Sequence, residues 1–138
     1  MTTWLIDTAL LKTLASPKAA SLRQWCEANN ASLFLSAASL TEIAAGIGKK
    51  PASHARRADA LREWLGGLTS QFADRIHPTD TEISVRAGAL LPRLTNGHPR
   101  YRFHDAILVA TAQAHGHGLL TRRDAIFGPW TNVSIAIL

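Results

Sequence analysis

Four of the ten carboxylates in this chain stand where an apolar segment ends or a helix begins. They are Asp7, Glu42, Asp105 and Asp124. Carboxylates that lie close together repel one another, and a hard cation such as Mg²⁺ or Mn²⁺, which takes oxygen ligands, relieves that repulsion. A bound divalent cation can polarise a phosphoryl oxygen and activate a water molecule for attack. The four acids are therefore candidate metal ligands and catalytic residues for the hydrolysis of phosphodiester bonds.

Each acid also has a structural interpretation that requires no ligand. Ser39 and Glu42 have the Ser-x-x-Glu spacing of a capping box, in which both residues only complete a helix N-terminus. Asp105 would be favourable at a helix start because of the helix dipole, and Asp124 could cap a short turn. Asp7 fits this view least, because it follows an apolar run and an unpaired charge beside the core is costly.

Apolar segments typical of buried strands alternate with segments of helical periodicity. The predicted strands are 4–6, 32–35, 118–121 and 133–137, with an extended piece at 76–78, and the predicted helices begin near Ser16, Ser39, His54, Thr79 and Asp105. This alternation favours one α/β domain over 1–138, with a mostly parallel sheet between helices on both faces. Ligands of such sheets bind beyond the carboxyl ends of the strands, which is where at least three of the four acids would lie.

The charge balance points to a polyanionic partner. Fifteen Lys and Arg stand against ten Asp and Glu, a net charge of +5, and eleven of the bases are arginine, which suits bidentate phosphate contact. Candidate RNA contacts flank two of the acids: Arg100 and Arg102 precede Asp105, and Arg122 and Arg123 precede Asp124. For any one arginine, a place on an ordinary solvated face is an equally good interpretation.

Several classes of protein and site are excluded by the residues present. A single cysteine, Cys26, rules out a disulfide framework and a cysteine-based zinc site. The N-terminal segment has no basic region before its apolar run, which Asp7 interrupts, so we expect a cytosolic protein without a membrane span. His115 and His117 could in principle bind a metal, but histidine is common at a helix C-terminus for its interaction with the dipole.

The four segments that carry the acids resemble those of PIN-domain ribonucleases. These segments are LIDTALL at 5–11, LSAASLTEIAAGI at 35–47, HDAILVATAQAHG at 104–116 and LLTRRDAIF at 119–127. The spacing and the run from 56 to 80 resemble the VapC-type toxins of bacterial toxin–antitoxin pairs. The similarity covers nearly the whole chain, and the motifs follow one another in the order and at the distances of the family.

This resemblance implies a three-layer α/β/α PIN-like fold and an Mg²⁺- or Mn²⁺-dependent endoribonuclease. It further implies a toxin that cleaves tRNA or rRNA, is often a homodimer, and is neutralised by a small cognate antitoxin. Asp7, Glu42 and Asp105 fall on the acids of the family. Thr121 falls on its hydroxyl position, from which it could orient a water molecule or a carboxylate.

Two positions depart from the pattern of the family. Ala9 stands where an asparagine usually follows the first acid, and Arg123 stands where the fourth acid or an asparagine is common. Either Asp124, one residue later, supplies the fourth ligand, or that ligand is lost. The alternative function is therefore a degenerate, non-catalytic PIN domain that binds RNA or an antitoxin without cleavage.

Overall fold

A sheet of five parallel strands runs through the middle of the molecule. The computed structural model describes residues 2–97, 103–121 and 135–137, with side chains for 2–93 and 103–121. The strands are β1 (Trp4–Ile6), β2 (Leu33–Ser36), β3 (Ile76–His77), β4 (Gly118–Thr121) and β5 (Ile135–Ile137). They lie in the order β3-β2-β1-β4-β5, so the chain builds one half of the sheet outwards from β1 and then crosses to build the other.

Helices connect the strands and cover both faces of the sheet. In the described part of the chain they are α1 (Thr8–Thr13), α2 (Ala20–Ala28), α3 (Ala37–Gly48), α4 (Ala55–Gln71), α5 (Thr81–Gly97) and α6 (Phe103–His115). Short 3-10 turns at Asn30–Ser32 and Ala52–His54 precede β2 and α4. None of the described helices is long and apolar enough to cross a membrane.

The alternation of side chains along β1 creates two separate cores. Leu5 packs with α5 and α6 on one face of the sheet, whereas Ile6 packs with α1 to α4 on the other. Both side chains are fully buried, as are Leu119 and Leu120, which divide between the same two cores in β4. The three-layer α/β/α arrangement predicted from the sequence is thus confirmed.

The structure corrects the predicted starts of three helices. Ser36 caps α3 by accepting a hydrogen bond from the backbone N–H of Ala38, so the helix begins earlier than the Ser39 start that the capping-box spacing predicted. Asp80, not Thr79, accepts a hydrogen bond from the backbone N–H of Ile83 at the start of α5. The segment after Ser16 forms turns, and α2 begins only at Ala20. For α3 and α5, side-chain spacing alone did not distinguish between neighbouring capping residues.

Candidate active site

Asp7 and Thr121 meet at the point where the strand order of the sheet reverses. Asp7 directly follows β1, Thr121 ends β4, and these two strands are neighbours in the sheet. Both side chains are fully buried, and the Thr121 hydroxyl donates a 2.8 Å hydrogen bond to Oδ2 of Asp7. Such a reversal opens a crevice at the carboxyl ends of the strands, where open α/β sheets bind their ligands.

The side chain of Asp7 does not serve as a helix cap. The residue occupies the N-cap position of α1 and has extended backbone angles, yet its carboxylate makes no capping hydrogen bond. The backbone N–H of Asp7 instead donates to the carbonyl of Leu120 at 2.9 Å, which continues the β1–β4 ladder by one residue. The carboxylate of Asp7 is therefore buried at the end of a strand without capping the helix that follows it.

Glu42 lies in the second turn of α3 and is held between two basic side chains. Its Oε1 is 3.6 Å from Nζ of Lys12, and its Oε2 is 2.9 Å from Nε2 of His104. Although Oε2 is buried, it accepts no directed hydrogen bond from any described residue, including the adjacent imidazole. The capping interpretation of Glu42 is therefore wrong, because a second-turn residue is beyond the unpaired N–H groups of the helix start.

Two hydroxyl groups and one imidazole link the segments that carry the acids. The Thr8 hydroxyl lies 2.7 Å from Oγ of Ser39 and 2.6 Å from Nε2 of His104. Thr8 directly follows Asp7, and Ser39 lies one turn before Glu42 on α3. His104 directly precedes Asp105, which is buried in the first turn of α6. The hydroxyl–imidazole network formed by Thr8, Ser39 and His104 thus draws α1, α3 and α6 together.

The other predicted site residues lie outside the described part of the chain. These residues are Arg100, Arg102, Arg122, Arg123 and Asp124. A fourth acid and the four candidate RNA contacts therefore stay predictions from the sequence. Asp7, Glu42, Asp105 and Thr121 are the predicted residues that the structure places, and all four belong to segments that converge at the carboxyl edge of the sheet.

The donor set fits a hard divalent cation in its chemistry. The segments of Asp7, Glu42 and Asp105 are linked through Thr8 and His104, and the buried Oε2 of Glu42 has lone pairs that no described hydrogen-bond donor uses. Within residues 2–97, 103–121 and 135–137, no three His, Cys, Asp or Glu side chains stand close enough to hold a metal ion by themselves. Mg²⁺ is commonly bound by only one or two carboxylates and keeps several waters, which substrate phosphates then replace.

Two clefts border the site. One, of about 260 Å³, runs between α1, α3 and α4 and is lined by Lys12, Lys50 and Arg57 above an apolar floor. The other, of about 560 Å³, is lined by Glu42 and His104 together with the exposed ring of Phe103. The first cleft carries three cations, of which Lys12 contacts Glu42, and cations of this kind can bind a phosphate backbone.

Comparison with known proteins identifies the family to which this chain belongs. The model of the PIN domain family matches residues 5–128. The chain belongs to the PIN domain family. Members of this family are generally nucleases. No curated protein sequence matches this PIN domain at a significant level.

Solved structures share the fold of this PIN domain at low sequence identity. A chain of DNA-bound VapBC from Salmonella typhimurium superposes with a TM-score of 0.82 at 18% identity, over 99% of this chain and 98% of that one. A chain of FitAcB from Neisseria gonorrhoeae superposes with a TM-score of 0.79 at 21% identity, over 96% of both chains. A chain of VapBC2 from Rickettsia felis, bound to a fragment of promoter DNA, gives 0.82 at 15% identity over 99% of both. These similarities confirm the fold.

A cluster of histidines in this PIN domain joins the end of β3 to the start of β4. Nε2 of His77 is 2.8 Å from Nε2 of His117, whose Nδ1 contacts the hydroxyl of Thr3 at 2.6 Å. The ring of His115 stacks on that of His77 at 3.6 Å, and Phe34 stacks on both His77 and His117. Burial is the largest cause that lowers the pKa of His77, followed by the nearby charge of His115.

The same causes act more strongly on His117. Burial, followed by the charges of His77 and His115, lowers the pKa of His117 to about 4. His77 and His117 are therefore neutral at pH 7, and both rings stack on Phe34. α6 ends at His115, where the helix-end interpretation of the His115–His117 motif placed the helix C-terminus, and Gly116 follows with a left-handed φ of 69°.

Sequence reasoning missed the residues that support the acids. Thr8, Lys12 and His104 were not among the predicted site residues, and Ser39 was interpreted only as a cap. Two of them, Thr8 and His104, are the immediate neighbours of candidate acids, and this adjacency was the available signal. Lys12 carried no such signal, because its contact with Glu42 depends on how α1 packs against α3.

Proposed function

We propose that this PIN domain is a VapC-type toxin: an endoribonuclease that hydrolyses RNA phosphodiester bonds with the help of Mg²⁺ or Mn²⁺. The observation that carries the proposal is the buried Asp7–Thr121 pair at the reversal of the strand order, beside the segments of Glu42 and Asp105. The resemblance of the motifs to VapC-type toxins supports the toxin assignment. The substrate would be tRNA or rRNA in the cytoplasm.

Asp7, Glu42 and Asp105 would hold the cation, and Asp124 is the candidate fourth ligand. The cation, when bound, supplies Lewis acidity at the phosphoryl oxygen and lowers the pKa of a water molecule. Thr121 fixes the orientation of Asp7 through its hydrogen bond, so that this carboxylate need not reorganise when a ligand arrives. No nucleophilic side chain of the protein is required.

Basic side chains would hold the RNA beside the acids. Lys12, Lys50 and Arg57 line a cleft that adjoins Glu42, since Lys12 itself contacts that carboxylate. These cations can follow a phosphate backbone while the acids act on one phosphodiester. We include Arg100, Arg102, Arg122 and Arg123 in the same proposed surface on the basis of the sequence.

The partners follow from the same proposal. The VapBC and FitAcB structures that share this fold support a small cognate antitoxin, and the VapC resemblance implies that it lies across the carboxyl edge of the sheet. A homodimer is the assembly that the VapC resemblance implies. An antitoxin that covers Asp7 and Glu42 would block the access of RNA to the acids.

Cleavage assays with the purified protein test this function. We expect it to cut fragments of tRNA or rRNA when Mg²⁺ or Mn²⁺ is present, to lose this activity in EDTA, and to regain it when the cation is restored. A non-catalytic PIN domain would instead bind the same RNA and leave it intact under all three conditions. That result, with every fragment of the panel, would contradict the proposal.

A further inference from the structure

We propose that Thr8 and His104 are positioning residues that hold Glu42 ready for a divalent cation. This inference rests on the proposed function and deepens it. It concerns the network of Thr8, Ser39 and His104 described above, whose hydrogen bonds join the three acid-bearing segments. Thr8 and His104 are not proposed as metal ligands, and neither of them has to contact the RNA.

The contacts of His104 assign its tautomer. Nε2 lies 2.6 Å from Oγ1 of Thr8 and 2.9 Å from Oε2 of Glu42. A lone pair on Nε2 would face an anionic oxygen at that distance, which is unfavourable, so the hydrogen belongs on Nε2. The N–H then donates to Thr8, because Oε2 of Glu42 accepts no directed hydrogen bond.

This tautomer fixes the direction of the whole network. Since Thr8 accepts from His104, its own hydroxyl hydrogen is available to donate to Oγ of Ser39 at 2.7 Å. Thr8 and Ser39 are buried, so water does not compete for these bonds. The imidazole is thereby held in place against α1 and α3, beside Oε2 of Glu42.

The consequence for Glu42 is a fixed carboxylate with an unused oxygen. Oε2 of Glu42 lies beside His104, yet this buried oxygen gives no lone pair to a directed hydrogen bond from the described residues. An oxygen held in this way can take a cation without first breaking a hydrogen bond. Outer partners that orient ligands in this manner typically contribute about 10–100-fold to metal affinity or activity.

Paired substitutions separate the hydroxyl and the imidazole from mere packing. Thr8→Val keeps the side-chain shape but removes the hydroxyl, whereas Thr8→Ser keeps the hydroxyl. His104→Leu removes the donor, whereas His104→Gln can place an amide N–H near the position of Nε2. Thr13→Val is the matched control, because the Thr13 hydroxyl on the same helix bonds only the carbonyl of Ala9.

We expect Thr8→Val and His104→Leu to lower kcat for RNA cleavage about 10–100-fold, with KM for RNA within about twofold. Calorimetric titration with Mn²⁺ alone, without RNA, should show a loss of affinity in the same range. Thr8→Ser and His104→Gln should restore most of both quantities, and Thr13→Val should match the wild-type protein. Circular dichroism of each variant establishes that it is folded.

A third readout does not depend on metal or activity. Nitrogen-15 NMR of the metal-free protein should show His104 protonated at Nε2, and Thr8→Val should shift that resonance while Thr13→Val leaves it in place. If Thr8→Val fails to fold, His104→Leu and Ser39→Ala provide the same comparison.

The outcomes distinguish this inference from the proposed function. Wild-type protein that cleaves RNA and binds Mn²⁺, together with Thr8→Val and His104→Leu variants that do both equally well, overturns the positioning role alone. A wild-type protein that neither cleaves RNA nor binds Mn²⁺ overturns the proposed function and the inference with it. A His104 resonance that reports Nδ1 protonation overturns the assigned direction of the network and hence the inference.

Discussion

The Thr121 hydroxyl donates a 2.8 Å hydrogen bond to Oδ2 of Asp7, although 114 residues separate the two in sequence. The bond crosses from the end of β4 to the end of β1, the pair of strands at which the sheet changes its direction of growth. Both side chains are fully buried, so the orientation of the carboxylate is set by the fold before any ligand arrives. Preorganisation of this kind is what a metal-binding carboxylate requires.

Thr121→Val removes this hydrogen bond while keeping the side-chain shape. Because Oδ2 of Asp7 then loses a buried donor, we expect the free energy of unfolding to fall by about 1–3 kcal/mol. RNA cleavage should fall about 10-fold or more, because Asp7 is no longer held in one orientation. Urea unfolding and a cleavage assay measure the two effects.

Thr111→Val provides the matched control for that substitution. Thr111 is also fully buried, but its hydroxyl donates to the carbonyl of Ile107 within its own helix. Cleavage by Thr111→Val should equal that of the wild-type protein. Equal cleavage by Thr121→Val would show that the Thr121–Asp7 bond has no part in catalysis.

Lys12→Met tests the charge balance around Glu42. Lys12 and Glu42 are 48% and 39% exposed, and a pair so accessible to water should change the stability by less than about 1 kcal/mol. Removing the positive charge of Lys12 should strengthen the binding of a divalent ion at Glu42 by about 1 kcal/mol, which corresponds to roughly fivefold in Mn²⁺ affinity. Lys50→Met, which removes another lysine of the same cleft, should change the Mn²⁺ affinity less. The account of Glu42 would be wrong if Lys12→Met weakened Mn²⁺ binding.

The histidine cluster should make the protein sensitive to acid. The pKa values of His77 and His117 lie below 6.5 in the folded protein, that of His117 at about 4, so the unfolded chain binds these protons more readily. The protonation of these two residues should therefore not change the free energy of unfolding above about pH 6.5. Below that value, the free energy of unfolding should decrease as the pH falls from about 6.5 towards 4.

Urea titrations at several pH values measure this dependence. The double variant His77→Gln, His117→Gln should lose less stability between pH 6.5 and 4 than the wild-type protein, although its stability at pH 7.5 is lower because the ring packing on Phe34 is gone. Identical losses in the two proteins would refute the assignment of the acid sensitivity to this cluster.

The sequence predicted the sheet, because its strands carry short local signals. The apolar run before Asp7 is only three residues long, yet it marks a strand that both cores bury. The same reasoning did not find α1, because a six-residue helix between two buried segments shows too little periodicity to be recognised.

The contacts of Glu42 were beyond a sequence-based prediction for another reason. Ser39 and Glu42 have the spacing of a capping box, but Ser36 supplies the cap and Ser39 turns to Thr8 instead. Whether a serine caps a helix or bonds to a neighbouring helix depends on tertiary packing, which no local pattern encodes. The contact of His104 with Glu42 is of the same kind, since it joins two helices far apart in sequence.

The most direct test of the central claim compares RNA cleavage by the wild-type protein and by Asp7→Asn, with Mn²⁺ present. Asparagine can still accept the hydrogen bond of Thr121, so the fold should be retained, as circular dichroism would verify. Because a neutral amide is a poor ligand for a hard cation, we expect the variant to lose cleavage by about 100-fold or more and to bind Mn²⁺ more weakly. Cleavage by a folded Asp7→Asn protein at the wild-type rate would contradict the claim that this buried carboxylate is part of the active site.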